Sequence, residues 1–188
     1  MGQIATREAA TSAPPEATDE GRRWRPRAAP GPVQVGLLVA AIGWILDQAT
    51  KALAVEALVG GRVIDLPGPL FLRLTFNAGA AFSAPIPWWA FPIVTLLVVV
   101  LVARNLPRSR GALEPIAWGL LLGGAFGNLT DRLLRVEPGG VGRGEVVDFI
   151  ASTVWPTFNL ADVAITVGFV LLVLAAVREG REERQEAP

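Results

Sequence analysis

Residues 157–177, which read TFNLADVAITVGFVLLVLAAV, form a run that is long and apolar enough to cross a bilayer as one helix. The run nevertheless contains a carboxylate, Asp162, about one turn from its start, and no basic residue lies three or four positions away. Because an ionisable group inside an apolar span is costly, it is by default a candidate functional residue. The stretch therefore predicts a membrane-spanning fold and a first site residue together.

The composition of the whole chain supports a membrane protein and excludes several kinds of chemistry. The 188 residues suffice for one domain, 52% of them are hydrophobic, and the mean hydropathy is +0.44. The formal net charge is zero, so there is no electrostatic case for a nucleic-acid partner. Because Cys, His and Tyr are absent, Cys nucleophiles, His bases and the usual zinc sites are excluded. Hydrolytic chemistry is left to Asp, Glu, Ser, Thr or the single lysine, Lys51.

Four apolar segments predict an all-α polytopic membrane protein with four transmembrane helices. In chain order they cover about residues 33–58, 86–103, 113–130 and 157–177. Residues 1–32 are polar and rich in Ala, Pro, Glu and Arg, which predicts a disordered tail. The predicted organisation is thus this tail, one membrane domain over residues 33–177, and a charged C-terminal tail over residues 178–188.

Arginines predict how the chain is oriented in the membrane. They cluster before the first span, after the second and after the fourth, which places both termini and these two tails in the cytoplasm. The first apolar run is also compatible with a cleaved signal peptide. However, the segment continues at helical spacing through residues 47–58, and its removal would conflict with the arginine pattern.

The first outer connection, residues 59–85, contains a strand-like pattern. Apolar residues alternate with period two after the turn signal LPGP, and one face carries Leu70, Leu72, Leu74 and Phe76. This pattern predicts a small extracytoplasmic β element that rests on the membrane surface.

Polar residues converge at one depth, the outer end of the spans. Asp47 and Lys51 are spaced i,i+4 in span one, which allows an ion pair on one helix face. The other members of this set, at the ends of spans three and four and in the outer connections, are Asn77, Asn128, Asp131, Arg132, Asp148, Asn159 and Asp162. We interpret Asp47–Lys51 and Asp131–Arg132 as structural pairs. The three asparagines suit either the capping of helix ends or the orientation of a substrate.

Asp148 and Asp162 are the candidates for catalysis. Two carboxylates that lie close together at an apolar interface cannot easily both ionise, so they share a proton, as in aspartic proteases. The ionised partner would activate a water, and the protonated partner would polarise the scissile carbonyl. This chemistry needs no cofactor and no covalent intermediate, which suits a chain without Cys or His.

Five motifs occur in order along the four spans. They are DQATK (47–51), FNAGAAFS (76–83), GGAFGNLTDR (123–132), VVDFI (146–150) and FNLADVAI (158–165). The set resembles the lipoprotein signal peptidase family, also called signal peptidase II, over about residues 33–177. The resemblance implies a bacterial aspartic peptidase of the cytoplasmic membrane, inhibited by globomycin. Such an enzyme removes prolipoprotein signal peptides by cleaving before a diacylglyceryl-modified cysteine.

The resemblance also implies a role for each polar residue. Asp148 and Asp162 correspond to the catalytic dyad. The residues that correspond to those lining the site, holding the substrate backbone or bracing the dyad are Asn77, Asn128, Arg132 and Asn159, with Asp47, Lys51 and Asp131 in the bracing motifs. The implied partners are prolipoprotein substrates and membrane lipids, and we expect a monomer. One departure is a Gly-rich insert, LLRVEPGGVGRGEVV, which is longer than the family norm and is interpreted as a tolerated surface loop.

Two other functions compete with this interpretation. One is a Ser–Lys peptidase in which Lys51 is the base and Ser83 or Ser152 the nucleophile. The other is a small transporter or channel in which Asp162 relays protons. Against transport, the sequence shows no inverted repeat, and the acids cluster on one side of the membrane.

Overall fold

The computed structural model describes residues 29–79, 87, 89–135 and 144–186, which form a helical bundle carrying a small β-sheet. The elements in chain order are α1 Pro32–Leu58, β1 Val63–Asp65, β2 Leu70–Asn77, α2 Ala90–Asn105, a 3-10 turn Leu106–Arg108, α3 Leu113–Leu134, β3 Val146–Ser152 and α4 Leu160–Glu186. The predicted fold class, an all-α polytopic membrane protein with a small β element, is confirmed. The predicted N-terminal tail lies outside the described residues up to residue 28, as does most of the Gly-rich insert.

Helix α3 lies at the centre of the bundle and packs along α1 on one side and α4 on the other. Within the described ranges, α1, α2 with its 3-10 turn, and α4 are long and apolar enough to cross a membrane. Their outward faces are rich in exposed Leu, Ile, Val and Phe, as expected for contact with lipid chains. Helix α3 is less apolar because it contains four glycines and Asn128. The third predicted span, which forms α3, is thus the one that packs against the other three.

Glycines let the α3 backbone touch both neighbouring helices. A Cβ added to Gly123 would lie 2.7 Å from the carbonyl oxygen of Ala40 in α1, and one added to Gly124 would lie 2.5 Å from that of Ala161 in α4. Such close approach is typical of helix pairs in membranes, where van der Waals packing replaces the hydrophobic effect as the force between helices. Gly123 therefore has a packing role between α3 and α1.

We expect Gly123→Ala to lower the free energy of unfolding by about 1–3 kcal/mol, because the added methyl group meets backbone that cannot move aside. Gly43→Ala in α1 is the matched control, since nothing lies within 4 Å of a Cβ at that position. We expect the control to raise stability by about 0.5–1 kcal/mol through helix propensity. Thermal unfolding in detergent measures both, and equal effects would contradict the packing account.

The three strands form one antiparallel sheet in the order β1-β2-β3. Strand β2 confirms the predicted β element, although a register shift between Leu72 and Thr75 interrupts the predicted alternation with period two. Strand β3 lies in a stretch that was predicted only as an outer connection. Strand β3 was missed because most of its residues are buried, so its sequence lacks alternation. Val147 and Phe149 of β3 pack against Ala54 and Leu58 at the end of α1, which fixes the sheet to the bundle.

Helix α4 begins at Leu160 and continues to Glu186, well past the predicted span. The predicted charged tail is therefore a helical extension of the last span over nearly its whole length. The segment just before α4 is hydrogen-bonded to β3, because the backbone N–H groups of Phe149 and Ile150 donate to the carbonyl oxygen of Phe158. This link brings the beginning of the fourth span to the strand that carries Asp148.

Candidate active site

Asp162 is held by a reciprocal pair of hydrogen bonds at the start of α4. The Oδ1 atom of Asn159 accepts a hydrogen bond from the Asp162 N–H at 3.1 Å, and Asp162 Oδ2 accepts one from the Asn159 N–H at 3.2 Å. This is a capping-box arrangement, which satisfies backbone groups that a helix N-terminus leaves unpaired. It also places the Asp162 carboxylate in the first turn, where the helix dipole favours a negative charge.

Asp148 lies on β3 and is almost fully buried, with 2% of its surface exposed. Its Oδ2 atom accepts a hydrogen bond from Asn77 Nδ2 at 3.0 Å, and its Oδ1 atom accepts one from Asn159 Nδ2 at 2.7 Å. Asn77 is oriented in turn, since its Oδ1 atom accepts a hydrogen bond from the N–H of Gly79 at 2.9 Å. The end of β2 and the start of α4 therefore each supply one amide to this carboxyl group.

Two asparagines connect the two carboxyl groups. Asn159 Nδ2 donates to Asp148 Oδ1 and also, at 3.1 Å, to Asn128 Oδ1. Asn128 Nδ2 then donates to Asp162 Oδ1 at 2.8 Å. All of the asparagines and aspartates that the sequence singled out around the dyad thus share one hydrogen-bond network. Asp162 and Asn128 are only partly buried, so this network has an open side.

The pKa of Asp148 is raised from its ordinary value to about 6. Burial is the main cause, because it disfavours the charged form, and the negative charge of Asp162 adds to the effect. The hydrogen bonds from Asn77 and Asn159 and the charge of Lys51 act in the opposite direction without cancelling the rise. Asp148 therefore retains its proton to a higher pH than an ordinary aspartate.

We expect the raised pKa of Asp148 to make the fold more stable as the pH falls from about 7 to 4. The folded state binds the proton near pH 6 and the unfolded chain only near pH 4, so stability rises while the folded state binds more protons. The full effect is about 3 kcal/mol. Asp148→Asn should remove this increment, which paired unfolding curves at pH 8 and pH 5 would detect. An unchanged pH dependence would contradict the assignment.

A buried ion cluster lies next to the two candidate catalytic aspartates. Lys51 Nζ is 2.8 Å from Asp47 Oδ2 and 3.1 Å from Asp131 Oδ2, and Arg135 Nε is 3.2 Å from Asp131 Oδ1. Asp47, Lys51 and Asp131 are at most 1% exposed. The predicted Asp47–Lys51 pair is therefore present. Asp131 also acts as a structural acid, but its ion-pair partners are Lys51 and Arg135 rather than the predicted Arg132.

The carboxylates of this cluster also hold the backbone that carries the dyad. Asp47 Oδ1 accepts a hydrogen bond from the Ala161 N–H at 2.9 Å, and Asp131 Oδ2 accepts one from the Val147 N–H at 3.1 Å. Ala161 precedes Asp162 and Val147 precedes Asp148. Asp162 is thus fixed through Ala161 to an acid of α1, and Asp148 is fixed through Val147 to an acid of α3.

Sequence reasoning missed two members of this cluster, Gln48 and Arg135. Gln48 Nε2 donates to Asp47 Oδ2 and to the carbonyl oxygen of Gly127, both at 3.1 Å. Two signals were available: Gln48 is a polar residue inside span one, and Arg135 follows Asp131 by four positions on the same helix face.

Arg132 points away from the ion cluster and toward the end of β2. Its Nη2 atom donates to the carbonyl oxygen of Gly79 at 2.5 Å, and its guanidinium lies 3.4 Å from the centroid of the Phe91 ring at the start of α2. This cation–π contact and the hydrogen bond to Gly79 together fix the orientation of the guanidinium.

The geometry weighs against the two competing functions. The three hydrogens of a Lys51 ammonium all have acceptors in Asp47, Asp131 and Asn128, so no lone pair is directed at a serine. Ser152 Oγ accepts a hydrogen bond from the Val154 N–H, and Ser83 lies outside the described residues. For transport, the ionisable groups of the described spans would need to trace a path, but the buried ones gather at one end.

Comparison with known proteins places this site in a family. Residues 39–178 match the sequence profile described as signal peptidase (SPase) II. A lipoprotein signal peptidase from Leifsonia xyli subsp. xyli is 41% identical over 169 residues, covering 86% of this chain and 77% of the relative. One from Rhodococcus jostii is 42% identical over 139 residues, covering 73% of this chain and 69% of the relative.

Solved structures share this fold. One described as a bacterial membrane enzyme superposes with a TM-score of 0.70 at 27% identity, covering 81% of this chain and 93% of the other. A second, also described as a bacterial membrane enzyme, has a TM-score of 0.63 at 29% identity. The resemblance predicted from the five motifs is confirmed, and the chain belongs to the signal peptidase II family of aspartic peptidases, membrane enzymes that process lipoprotein precursors.

Proposed function

We propose that this enzyme cleaves prolipoproteins immediately before a diacylglyceryl-modified cysteine, with Asp148 and Asp162 as the catalytic dyad. One observation carries the proposal: a single residue, Asn159, donates hydrogen bonds to both carboxyl groups, from its side-chain amide to Asp148 and from its backbone N–H to Asp162. Two acids that share a partner in a partly closed site are close enough to act on one water. Metal ligation is not needed for this chemistry.

The two acids differ in environment, which supports different roles. Asp148 is buried with a raised pKa, so it starts as the proton donor. Asp162 is partly exposed, lies in the first turn of α4 and accepts hydrogen bonds from Asn128 and from the Asn159 N–H. Asp162 is therefore the general base, and it has access to the water that it activates.

The reaction balances without a covalent intermediate. Asp162 takes a proton from the water while the oxygen attacks the scissile carbonyl carbon, and Asp148 gives its proton to the carbonyl oxygen. When the tetrahedral species collapses, the C–N bond breaks and the cysteine nitrogen takes the proton that Asp162 received. Asp148 recovers its proton from the former carbonyl oxygen. The products are a carboxylic acid and an amine, and the dyad returns to its starting state.

The substrate's lipid group explains why the site belongs at a membrane interface. The site residues come from the outer half of α1, the end of α3 and the beginning of α4, so they lie at one end of the bundle. With both termini in the cytoplasm, as the arginines indicate, this end meets the outer leaflet. A diacylglyceryl group anchored there holds the scissile bond at the depth of the dyad, while the apolar signal helix lies among the lipid-facing spans.

Cleavage should depend strongly on the diacylglyceryl group. We expect the purified enzyme in lipid vesicles to cleave a diacylglyceryl prolipoprotein at least ~100-fold more efficiently, in kcat/KM, than the same precursor without the lipid. The reason is that each buried CH₂ contributes roughly 0.8 kcal/mol to membrane anchoring. Mass spectrometry of the product should find the modified cysteine at its N-terminus, and globomycin should block the reaction. Equal cleavage of both substrates, or cleavage at another bond, would contradict the proposed specificity.

A further inference from the structure

Lys51 makes a contact that its ion pairs do not explain. Besides Asp47 and Asp131, its ammonium donates a hydrogen bond to Asn128 Oδ1 at 3.1 Å. Asn128 is the residue whose Nδ2 atom donates to Asp162 Oδ1 at 2.8 Å. One buried lysine on α1 is thus separated from a member of the proposed dyad by a single amide side chain.

The lysine and Asp162 together determine which way that amide faces. An ammonium group can only donate hydrogen bonds, and an ionised carboxylate can only accept them. With Asn128 Oδ1 toward Lys51 and Nδ2 toward Asp162, both requirements are met. A flipped amide would set NH₂ against the ammonium and oxygen against the carboxylate, which is unfavourable at both ends.

The second acceptor role of Asn128 extends this effect to Asp148. Its Oδ1 atom also accepts a hydrogen bond from Asn159 Nδ2 at 3.1 Å, and the same Nδ2 atom donates to Asp148 Oδ1 at 2.7 Å. The orientation of Asn128 therefore supports the orientation of Asn159. Without the lysine, the amide would gain freedom to turn, and both carboxyl groups would lose a fixed donor.

We propose that Lys51 is a positioning residue that fixes the amide orientation of Asn128, and through it the hydrogen bonds that Asn128 and Asn159 make to the dyad. This inference rests on the proposed function, because it concerns the reaction that Asp148 and Asp162 carry out. The proposed role differs from that of a purely structural ion pair, because the effect of Lys51 on catalysis passes through Asn128.

A double-mutant cycle tests this route. We expect Lys51→Met to lower kcat toward a diacylglyceryl prolipoprotein roughly 10- to 100-fold with little change in KM, because a small misplacement of catalytic groups has effects of this size. Asn128→Ala should lower kcat at least as much. The double variant should turn over substrate at the rate of Asn128→Ala alone, because the amide through which Lys51 acts is already absent. Multiplied losses in the double variant would overturn the proposal.

Arg135→Met is the matched control, because Arg135 is the other cation that pairs with Asp131. It should lower the unfolding temperature and leave kcat within about twofold of wild type, since Arg135 is near Asp131 Oδ1, whereas Lys51 and the Val147 N–H bond to Oδ2. A loss of kcat in this control as large as in Lys51→Met would mean that any disturbance of the ion cluster slows the reaction, and would overturn the specific role of Lys51.

A second comparison covers the case in which Lys51→Met does not fold, since it leaves two buried carboxylates without their shared cation. Asp47→Asn/Lys51→Met removes one of those charges, and an asparagine oxygen can still accept the Ala161 N–H. Its kcat should fall roughly 10- to 100-fold below that of Asp47→Asn alone. Equal rates would overturn the proposal. Asp162→Asn in the same assay separates the two hypotheses, because activity in that variant refutes the dyad rather than the role of Lys51.

Discussion

Replacing either Asp148 or Asp162 by Asn is expected to lower kcat by about 10³-fold or more toward a diacylglyceryl prolipoprotein, without unfolding the protein. General acid–base catalysis contributes ~10²–10⁴-fold in enzymes, and an amide can neither accept the proton of water nor protonate a carbonyl oxygen. The exchange keeps the shape of each side chain. In Asp148→Asn it also removes the buried group whose charge is costly in the folded state.

A control of the same chemistry is available in the same sheet. Asp65 lies on β1 and is exposed, so Asp65→Asn should leave both kcat and the unfolding temperature at the wild-type level. Turnover is measured by the release of signal peptide in lipid vesicles, and folding by thermal unfolding of the same samples. Substantial turnover by either dyad variant would remove that residue from the proposed mechanism.

Asn159 should have the second largest effect, because it contacts both carboxyl groups and is fully buried. Asn159→Ala removes the donor to Asp148 and the acceptor for the Asp162 N–H, so we expect kcat to fall about 100-fold. The loss of the helix cap should also lower the free energy of unfolding by ~1 kcal/mol.

Asn159→Ser separates these two contributions. A serine hydroxyl caps a helix nearly as well as an amide does, but it is too short to donate to Asp148. We therefore expect wild-type stability with kcat still reduced about 100-fold. Activity that follows stability across the alanine and serine variants would show that Asn159 acts only as a helix cap, and would contradict its role between the two acids.

The positions of the site residues could be predicted from sequence because each is a polar exception in an apolar setting. Asp162 interrupts a span, and Asp47 and Lys51 share one helix face. The predicted topology places all three at the same depth, near the outer end of the spans. Strand β2 was predictable for a related reason: one of its faces is apolar, so its alternation is visible. These signals depend only on residues that are near one another in the sequence, so they can be recognised without knowledge of the tertiary packing.

What could not be predicted depends on contacts between distant segments. Strand β3 is buried against α1, so it has no alternation, and its pairing with β2 appears only in the folded chain. The pairing of Asp131 with Lys51 joins residues 80 positions apart, whereas the nearer Arg132 turns to Gly79 and Phe91. Sequence spacing suggests which residues share a helix face, but three-dimensional packing determines which charge each acid meets.

A contribution to protein stability does not by itself explain the buried ion cluster. Replacing buried ion pairs by apolar residues is often neutral or stabilising, so the pairs among Asp47, Lys51 and Asp131 are weak evidence for stabilisation. Their hydrogen bonds reach Ala161, Val147 and Asn128, each of which adjoins or contacts a dyad residue. Fixed placement of the two carboxyl groups is what this arrangement provides.

The most direct test of the central claim, that Asp148 and Asp162 act as one unit on one peptide bond, is the kcat of Asp148→Asn/Asp162→Asn compared with the two single variants. Residues that work as a unit are strongly non-additive, because losing one member already abolishes the step. The account predicts that the double variant releases signal peptide no more slowly than the slower single variant. Losses that multiply in the double variant, or a single variant that retains wild-type turnover, would contradict it.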